Sequence, residues 1–272
     1  MDLFTIQLNP RNADAFTNRG YAYNQLGQHQ RAIEDYDEAI RLDPQYALAF
    51  FNRGYAYRQL GQHQRAIEDF DEAIQLYPQD YYAFTNRGYA YNQLGQHQRA
   101  IEDYDEAIRL NPQAPDEYYN RGNIYYQLGQ HQRAIEDYDK AIRLNPQNAD
   151  IYYNRGYAYK QLGQHQRAIE DYDKAIQLNP QDALAFTNRG YAYNQLGQHQ
   201  RAIEDYDKAI QLNPRHADVY YNRGNIYYQL GQPQRAIEEY DKAIQLNPQY
   251  AGADGNRAVV LKQVIEELKK QR

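Results

Sequence analysis

Cysteine, serine and tryptophan are absent from the 272 residues of this sequence, and threonine occurs only four times. Without cysteine there is neither a disulfide framework nor a thiolate metal site. The usual catalytic nucleophiles are also missing, and the sequence contains no glycine-rich phosphate loop. We therefore expect a protein that is not an enzyme and that holds no cofactor and no metal.

Positive charge is also scarce, because 30 Lys and Arg residues stand against 36 Asp and Glu, for a net charge of −6. Nucleic-acid binders carry clustered Lys and Arg, so nucleic acid is not an expected partner. No stretch approaches the roughly 18 apolar residues needed to cross a bilayer, and the opening MDLFTIQLNP lacks the basic start of a secretory signal. No membrane partner is expected, and a cytoplasmic location is the default expectation.

Large aliphatic residues are few as well. Leu, Ile, Val and Phe make up about 18 % of the chain, a proportion that on its own would suggest disorder. The chain compensates with 31 tyrosines. Their rings can supply buried aromatic area, although each buried hydroxyl then needs a hydrogen-bond partner or a route to water.

The triplet Asn-Arg-Gly recurs every 34 residues without any insertion, at 18–20, 52–54, 86–88, 120–122, 154–156, 188–190 and 222–224. A unit of this length cannot bury its own apolar face, so the units must stack into a solenoid. We predict seven units, numbered internally from 1 to 34, over residues 13–46, 47–80, 81–114, 115–148, 149–182, 183–216 and 217–250. Residues 1–12 match only the last part of a unit, and residues 251–272 are predicted to form an amphipathic capping helix with an apolar run from Val259 to Leu268.

Each unit contains two stretches of helical periodicity separated by a turn. In the first unit the second stretch includes Ala32, Tyr36 and Ala39, which have the spacing of a buried stripe, and it stops before Pro44. Gly27 lies between the two stretches, where glycine suits the left-handed residue that ends a helix. The pattern therefore predicts an all-α chain of helix pairs.

The residues of one unit carry a resemblance to a known family. In the first unit they are Phe16, Gly20, Tyr23, Ala32, Tyr36, Ala39 and Pro44. This pattern resembles the tetratricopeptide repeat (TPR) signature, and the match extends over residues 13–250. The resemblance implies a right-handed superhelical α-solenoid of antiparallel helix pairs, whose first helices line the concave side.

The units depart from the family at position 7, where the usual Leu is Arg in all seven units: Arg19, Arg53, Arg87, Arg121, Arg155, Arg189 and Arg223. A charged side chain between packed helices requires a partner of opposite charge. Acidic residues recur at positions 23 and 25 of the second helix, as at Asp35 and Asp37. We therefore predict a ladder of Arg-carboxylate pairs within or between units.

Removing the core positions from the first helix leaves positions 2, 5, 6, 9, 12 and 13 on one exposed face. Position 6 is always asparagine: Asn18, Asn52, Asn86, Asn120, Asn154, Asn188, Asn222 and, in the capping helix, Asn256. Position 9 holds Tyr21, Tyr55, Tyr89, Asn123, Tyr157, Tyr191 and Asn225. Position 5 is tyrosine at Tyr119, Tyr153 and Tyr221, and position 12 holds Asn24, Arg58, Asn92, Tyr126, Lys160, Asn194 and Tyr228.

We interpret this face as a peptide-binding surface. An asparagine amide can bond both the N–H and the C=O of an extended peptide, and tyrosine adds rigid aromatic area with a polar tip. The arrangement is similar to the asparagine ladder in the superhelical repeat domain of O-linked N-acetylglucosamine transferase, which holds extended polypeptide. The first hypothesis is therefore a protein-protein interaction scaffold that binds a peptide or partner segment in its groove.

Other functions fit the sequence less well. The family's clamp for C-terminal carboxylates of chaperone tails is incomplete, since Asn123 and Asn154 match its asparagines but Tyr119, Leu184 and Asn188 occupy its charged positions. The histidines at position 17 are too far apart to share a metal, so a solvated turn is the better account of them. The alternative function is self-assembly into a homo-oligomer, in which the incompletely capped N-terminal end stacks on another chain.

Overall fold

Fifteen α-helices account for all the regular structure that the computed structural model describes, which covers residues 11–270. In the first half of the chain these are α1 (Ala13–Gln25), α2 (His29–Leu42), α3 (Ala47–Gln59), α4 (His63–Leu76), α5 (Tyr81–Gln93), α6 (His97–Leu110), α7 (Pro115–Gln127) and α8 (His131–Leu144). In the second half they are α9 (Ala149–Gln161), α10 (His165–Leu178), α11 (Ala183–Gln195), α12 (His199–Leu212), α13 (Ala217–Gln229), α14 (Pro233–Leu246) and α15 (Ala251–Lys270).

The helices form two compact sets, α1–α8 and α9–α15, which divide between Leu144 and Asn145. In both sets an odd-numbered first helix is followed by an even-numbered second helix of the same 34-residue unit. The predicted all-α chain of helix pairs is confirmed. Across residues 11–270 no helix is both long enough and apolar enough to span a bilayer.

The turn inside each unit depends on one glycine. Gly27 has φ +72°, a conformation that residues with a side chain rarely adopt, and the glycines at the same position of the other units have φ between 68° and 72°. The following amide, that of Gln28, donates to the carbonyl of Tyr23 at 2.9 Å and so closes the end of the first helix. The second helix can then begin at His29 and run back along the first.

Close packing of the two helices in a unit depends on a second glycine. A Cβ atom on Gly20 would lie 2.7 Å from Cε1 of Tyr36 and 3.1 Å from the carbonyl oxygen of Ala32. Tyr36 and Ala32 are themselves fully buried. Gly20 and Ala32 are therefore the small residues that let the two helices of the unit approach closely.

Successive units share an aromatic core. Tyr36 of the first unit packs in one cluster with Tyr57 and Phe70 of the second, and Tyr23 borders the same cluster. The hydroxyl of Tyr36 has no hydrogen-bond partner among the described residues. The expectation that every buried tyrosine hydroxyl finds a partner is therefore wrong at this position, where burial of the ring outweighs the cost of desolvating one hydroxyl.

The predicted Arg-carboxylate ladder is confirmed both within and between units. The Nε and Nη2 atoms of Arg53 donate to the carboxylate of Asp69 in the same unit at 2.9 and 2.7 Å, while Nη1 donates to Asp37 of the preceding unit at 2.6 Å. Arg189 makes the same three bonds, to Asp205 and Asp173. Each of these guanidinium groups therefore links three helices, and the bidentate pair with the buried aspartate fixes its orientation.

The sequence predicts that both ends of the chain differ from the seven repeat units. Of the predicted partial repeat over residues 1–12, residues 1–10 lie outside the described residues, so the partial repeat stays a prediction. At the other end, Ala253 and Val260 of α15 are buried in the core of the preceding unit. Val259 and Ile265 are 55 % and 50 % exposed, so these two residues of the apolar run lie outside that core.

Candidate peptide-binding face

The first helices of neighbouring units lie against one another. Cα atoms approach within 8 Å between α1 and α3, α3 and α5, and α5 and α7 in the first set, and between α9 and α11, α11 and α13, and α13 and α15 in the second. Within each set no two of the described second helices approach this closely. The side chains at positions 5, 6, 9 and 12, which we call the first-helix face, therefore follow one another from unit to unit within each set.

The asparagines at position 6 are not equivalent. Asn86 is buried and Asn18 exposed, and the others are half-buried. The Nδ2 atoms of Asn86 and Asn188 donate to the carbonyl four residues earlier in the same helix, at 2.7 and 3.0 Å. The Nδ2 atom of Asn256 donates to two side chains of the preceding unit, at 3.2 and 2.9 Å. The expectation of a free donor and acceptor at every position 6 is therefore wrong at Asn86, Asn188 and Asn256, whose amide donors are wholly or partly used inside the protein.

Four asparagines at position 6 keep their full hydrogen-bonding capacity. No described residue forms a hydrogen bond with the side chains of Asn18, Asn52, Asn120 and Asn222. Each of these amides can offer two donors and an acceptor with two lone pairs to a ligand. They are the members of the first-helix face best suited to bond a peptide backbone.

Position 9 has two structural roles. Three of the five tyrosines are exposed, Tyr21 at 54 %, Tyr89 at 37 % and Tyr191 at 36 %, while the other two are half-buried. Asn123 and Asn225 instead accept hydrogen bonds from the buried hydroxyls of Tyr138 and Tyr240, at 2.8 and 2.9 Å. These two asparagines, predicted as binding residues, therefore support second-helix tyrosines of their own units.

Position 5 was predicted to be exposed, and this is wrong for two threonines. Thr17 and Thr187 are buried, and their hydroxyls donate to the carbonyl four residues earlier. The tyrosines at this position lie half-buried over the second helix of their own unit, with 5.9 Å between the rings of Tyr153 and Tyr172 and a similar spacing at Tyr119 and Tyr221. The hydroxyl of Tyr153 also accepts from Nδ2 of Asn188 at 3.0 Å.

Position 12 determines what the histidine at position 17 contacts. Where position 12 is asparagine, its Oδ1 lies within hydrogen-bond distance of the histidine Nδ1, as at Asn92 and His97 with 2.9 Å. Units 2 and 5 instead place Arg58 and Lys160 there. In those units Nδ1 of His63 and of His165 has no hydrogen-bond partner among the described residues.

The two cations at position 12 lie between tyrosine rings of successive units. The guanidinium carbon of Arg58 is 4.6 Å from the ring centroid of Tyr55 and 4.8 Å from that of Tyr89. The Nζ atom of Lys160 is 3.9 Å from the ring of Tyr157 and 5.3 Å from that of Tyr191. Neither Arg58 nor Lys160 is among the predicted binding residues, although a cation at position 12 beside tyrosines at position 9 of its own and the next unit is a signal that the sequence carries.

Comparison with family models agrees with this geometry. One model, described as TPR repeat, matches residues 20–61, 88–129, 122–163 and 190–231, and a second, described as tetratricopeptide repeat, matches 47–80, 149–182 and 217–250. The chain belongs to the tetratricopeptide repeat family. Each match to the second model spans one 34-residue unit, namely the second, the fifth and the seventh.

Solved structures of other TPR proteins share the fold. YrrB, described as a TPR protein with an unusual peptide-binding site, is 28 % identical with a TM-score of 0.64, over 71 % of this chain and 99 % of YrrB. MamA is 28 % identical with a TM-score of 0.58, over 61 % of this chain and 96 % of MamA. The C-terminal part of a TPR protein from Cytophaga hutchinsonii, at 18 % identity and a TM-score of 0.76 over 88 % of this chain and 98 % of its own, shows the fold alone. No curated protein matches the chain.

Proposed function

We propose that this TPR chain is a protein-protein interaction scaffold that captures an extended segment of a partner on its first-helix face. The observation that carries the proposal is that the amides of Asn18, Asn52, Asn120 and Asn222 bond no described residue, on a helix face that also exposes the tyrosines Tyr21, Tyr89 and Tyr191 at position 9. The proposal gives the chain no catalytic step of its own.

The chemistry of the face favours an extended peptide. A free asparagine amide can accept from a peptide N–H and donate to a peptide C=O, so a series of them binds main chain with little regard to sequence. Tyrosine adds contact area at low conformational-entropy cost, because its ring has few rotatable bonds. The peptide-binding site of YrrB, a TPR protein of similar fold, supports the same class of ligand.

The test uses peptides of about 12 residues, which extend over about 40 Å. A randomised display library of such peptides is selected on the immobilised chain, and the affinities of selected peptides are measured by fluorescence anisotropy. The variant combines Asn18→Ala, Asn52→Ala and Asn120→Ala, and it should keep its helices because alanine is the better helix former. We expect affinity to fall at least tenfold, about 1.4 kcal/mol.

The matched control removes three amides from exposed second-helix positions of the same units, with Gln30→Ala, Gln64→Ala and Gln132→Ala. This control should bind the selected peptides like the unaltered chain. Failure to select any peptide, or equal binding by the asparagine variant and the unaltered chain, would overturn the proposal. If the chain instead self-associates with increasing concentration in sedimentation and selects no peptide, the self-assembly alternative replaces it.

A further inference from the structure

A cavity of about 350 Å³ opens on the first-helix face of the second set of helices. Tyr153, Tyr157, Lys160, Asn188 and Tyr191 are among the residues that line it. The pocket thus combines one cation with tyrosine rings and an amide. It lies next to Asn222, one of the asparagines with no hydrogen bond to a described residue.

Lys160 reaches this pocket without an acidic partner. Its Nζ atom donates to Oδ1 of Asn188 at 2.7 Å, and no described carboxylate forms an ion pair with it. Asn188 is itself held in place, since its Nδ2 donates to the hydroxyl of Tyr153 and to a carbonyl of its own helix. An ammonium group has three donors, so Lys160 keeps donors for a ligand after bonding Asn188.

Burial places this cation under an electrostatic cost. Desolvation lowers the pKa of Lys160 to about 8, because the tyrosine rings around it exclude water without supplying a negative charge. Asp218 also lines the pocket, but its carboxylate accepts from the hydroxyl of Tyr250 and lies 3.3 Å from Nε2 of His216. A partly desolvated cation with free donors attracts an anion more strongly than an exposed lysine does.

The fold does not need a cation at this position. Units 1, 3 and 6 hold asparagine there, and that asparagine lies within hydrogen-bond distance of the histidine at position 17. With Lys160 in its place, Nδ1 of His165 is buried without a partner and its ring turns edge-on to Tyr191. The lysine therefore costs the unit a hydrogen bond that other units make.

We propose that the Lys160 pocket is a subsite for one carboxylate, that of an Asp or Glu side chain in the extended segment that the first-helix face binds. This inference rests on the proposed function, and it specifies an acidic residue in the partner. Arg58 provides a second subsite of the same kind in the first set of helices, since it lies between Tyr55 and Tyr89 with His63 edge-on to Tyr89. The carboxylate replaces the missing counter-charge at each subsite.

The test again uses the randomised peptide library. Selection on the unaltered chain should enrich Asp or Glu, whereas selection on the double variant Arg58→Asn, Lys160→Asn should lose that preference. Both substitutions introduce the residue that units 1, 3 and 6 already carry, so the thermal melting temperature should not fall. The control variant Lys140→Asn, Lys208→Asn removes two positive charges from second helices and should keep the acidic preference.

A double-mutant cycle locates the contact. A selected acidic peptide and its Glu→Gln counterpart are titrated into the unaltered chain and into Lys160→Asn. Each single change should weaken binding about tenfold, and both together should weaken it little more than either alone. Additive losses, or selected peptides without Asp or Glu, would overturn the carboxylate subsite but leave the peptide-binding proposal standing. A failure to select any peptide would overturn both proposals.

Discussion

At the residue scale, one unit places a charge where the others place an aliphatic side chain. Glu117 occupies position 3, which holds Ala49 in the second unit and Val219 in the seventh. It is buried, and its Oε1 accepts from the hydroxyl of Thr85 at 2.9 Å, while its Oε2 has no hydrogen-bond partner among the described residues. Desolvation by burial raises the pKa of Glu117. This carboxylate therefore destabilises its unit when it is ionised.

Replacing Glu117 with Val should stabilise the protein at neutral pH by about 1–3 kcal/mol, the cost of a buried unpaired polar group. Val219 occupies the same position in the seventh unit, and without Glu117 the hydroxyl proton of Thr85 is donated to the carbonyl of Tyr81 alone. Because the folded chain holds the Glu117 proton more tightly than the unfolded chain, stability falls as pH rises from the ordinary glutamate pKa through the raised one. The gain from Glu117→Val should therefore shrink as pH falls toward about 4.3.

Urea denaturation followed by circular dichroism, at neutral pH and near the ordinary glutamate pKa, measures this effect. Glu136→Gln serves as the control, because Glu136 is exposed on the second helix of the same unit. It should change the midpoint little at either pH. A loss of stability in Glu117→Val at neutral pH would show that the carboxylate supports the fold.

At the element scale, the distance between two packed helices depends on the absence of a Cβ atom at a glycine. A Cβ on Gly122 would lie 2.9 Å from Cε1 of Tyr138, whereas no atom of the described residues lies within 4 Å of a Cβ on Gly255 of α15. Alanine is the better helix former at both positions by up to about 1 kcal/mol. Substitution of Gly255 therefore tests helix propensity alone, whereas substitution of Gly122 also tests the packing of two helices.

Gly122→Ala should destabilise the protein by about 1–3 kcal/mol, because the added methyl pushes α7 away from α8. Gly255→Ala should leave stability unchanged or raise it by up to about 1 kcal/mol. Chemical denaturation of the two single variants measures both. Equal and stabilising effects would mean that the close approach at Gly122 does not limit the packing.

At the scale of the whole molecule, a repeat protein is stabilised chiefly by contacts between neighbours. The last helix, α15, buries Ala253 and Val260 against the preceding unit. Its Asn256 donates to the hydroxyl of Tyr221 at 3.2 Å and to Oδ1 of Asn225 at 2.9 Å. Removing α15 uncovers the core of one unit only.

A chain that ends at Tyr250 should lose protection from hydrogen exchange at α13 and α14 by about tenfold or more, about 1.4 kcal/mol. The loss at α11 should be smaller, because α11 has no contact with α15 within the second set. Hydrogen exchange with mass spectrometry measures each helix. As a control, the variant Val259→Ser, Ile265→Ser changes two exposed residues of α15 and should exchange like the unaltered chain. A uniform loss of protection over α9–α14 in the truncated chain would contradict the idea that each unit is stabilised chiefly by its neighbours.

The sequence by itself determined the helix pairs, the turn at Gly27 and its equivalents, and the pairing of Arg53 with acidic residues, because each follows from local spacing repeated every 34 residues. Only the tertiary structure decided which predicted binding residues are free. Asn120 and Asn188 occupy the same position in the repeat, yet Asn188 is held by Tyr153 and Lys160 of the preceding unit while Asn120 bonds no described residue. The physical reason is that the partners of Asn188 come from positions 5 and 12 of the preceding first helix, and the residues at those positions differ from unit to unit.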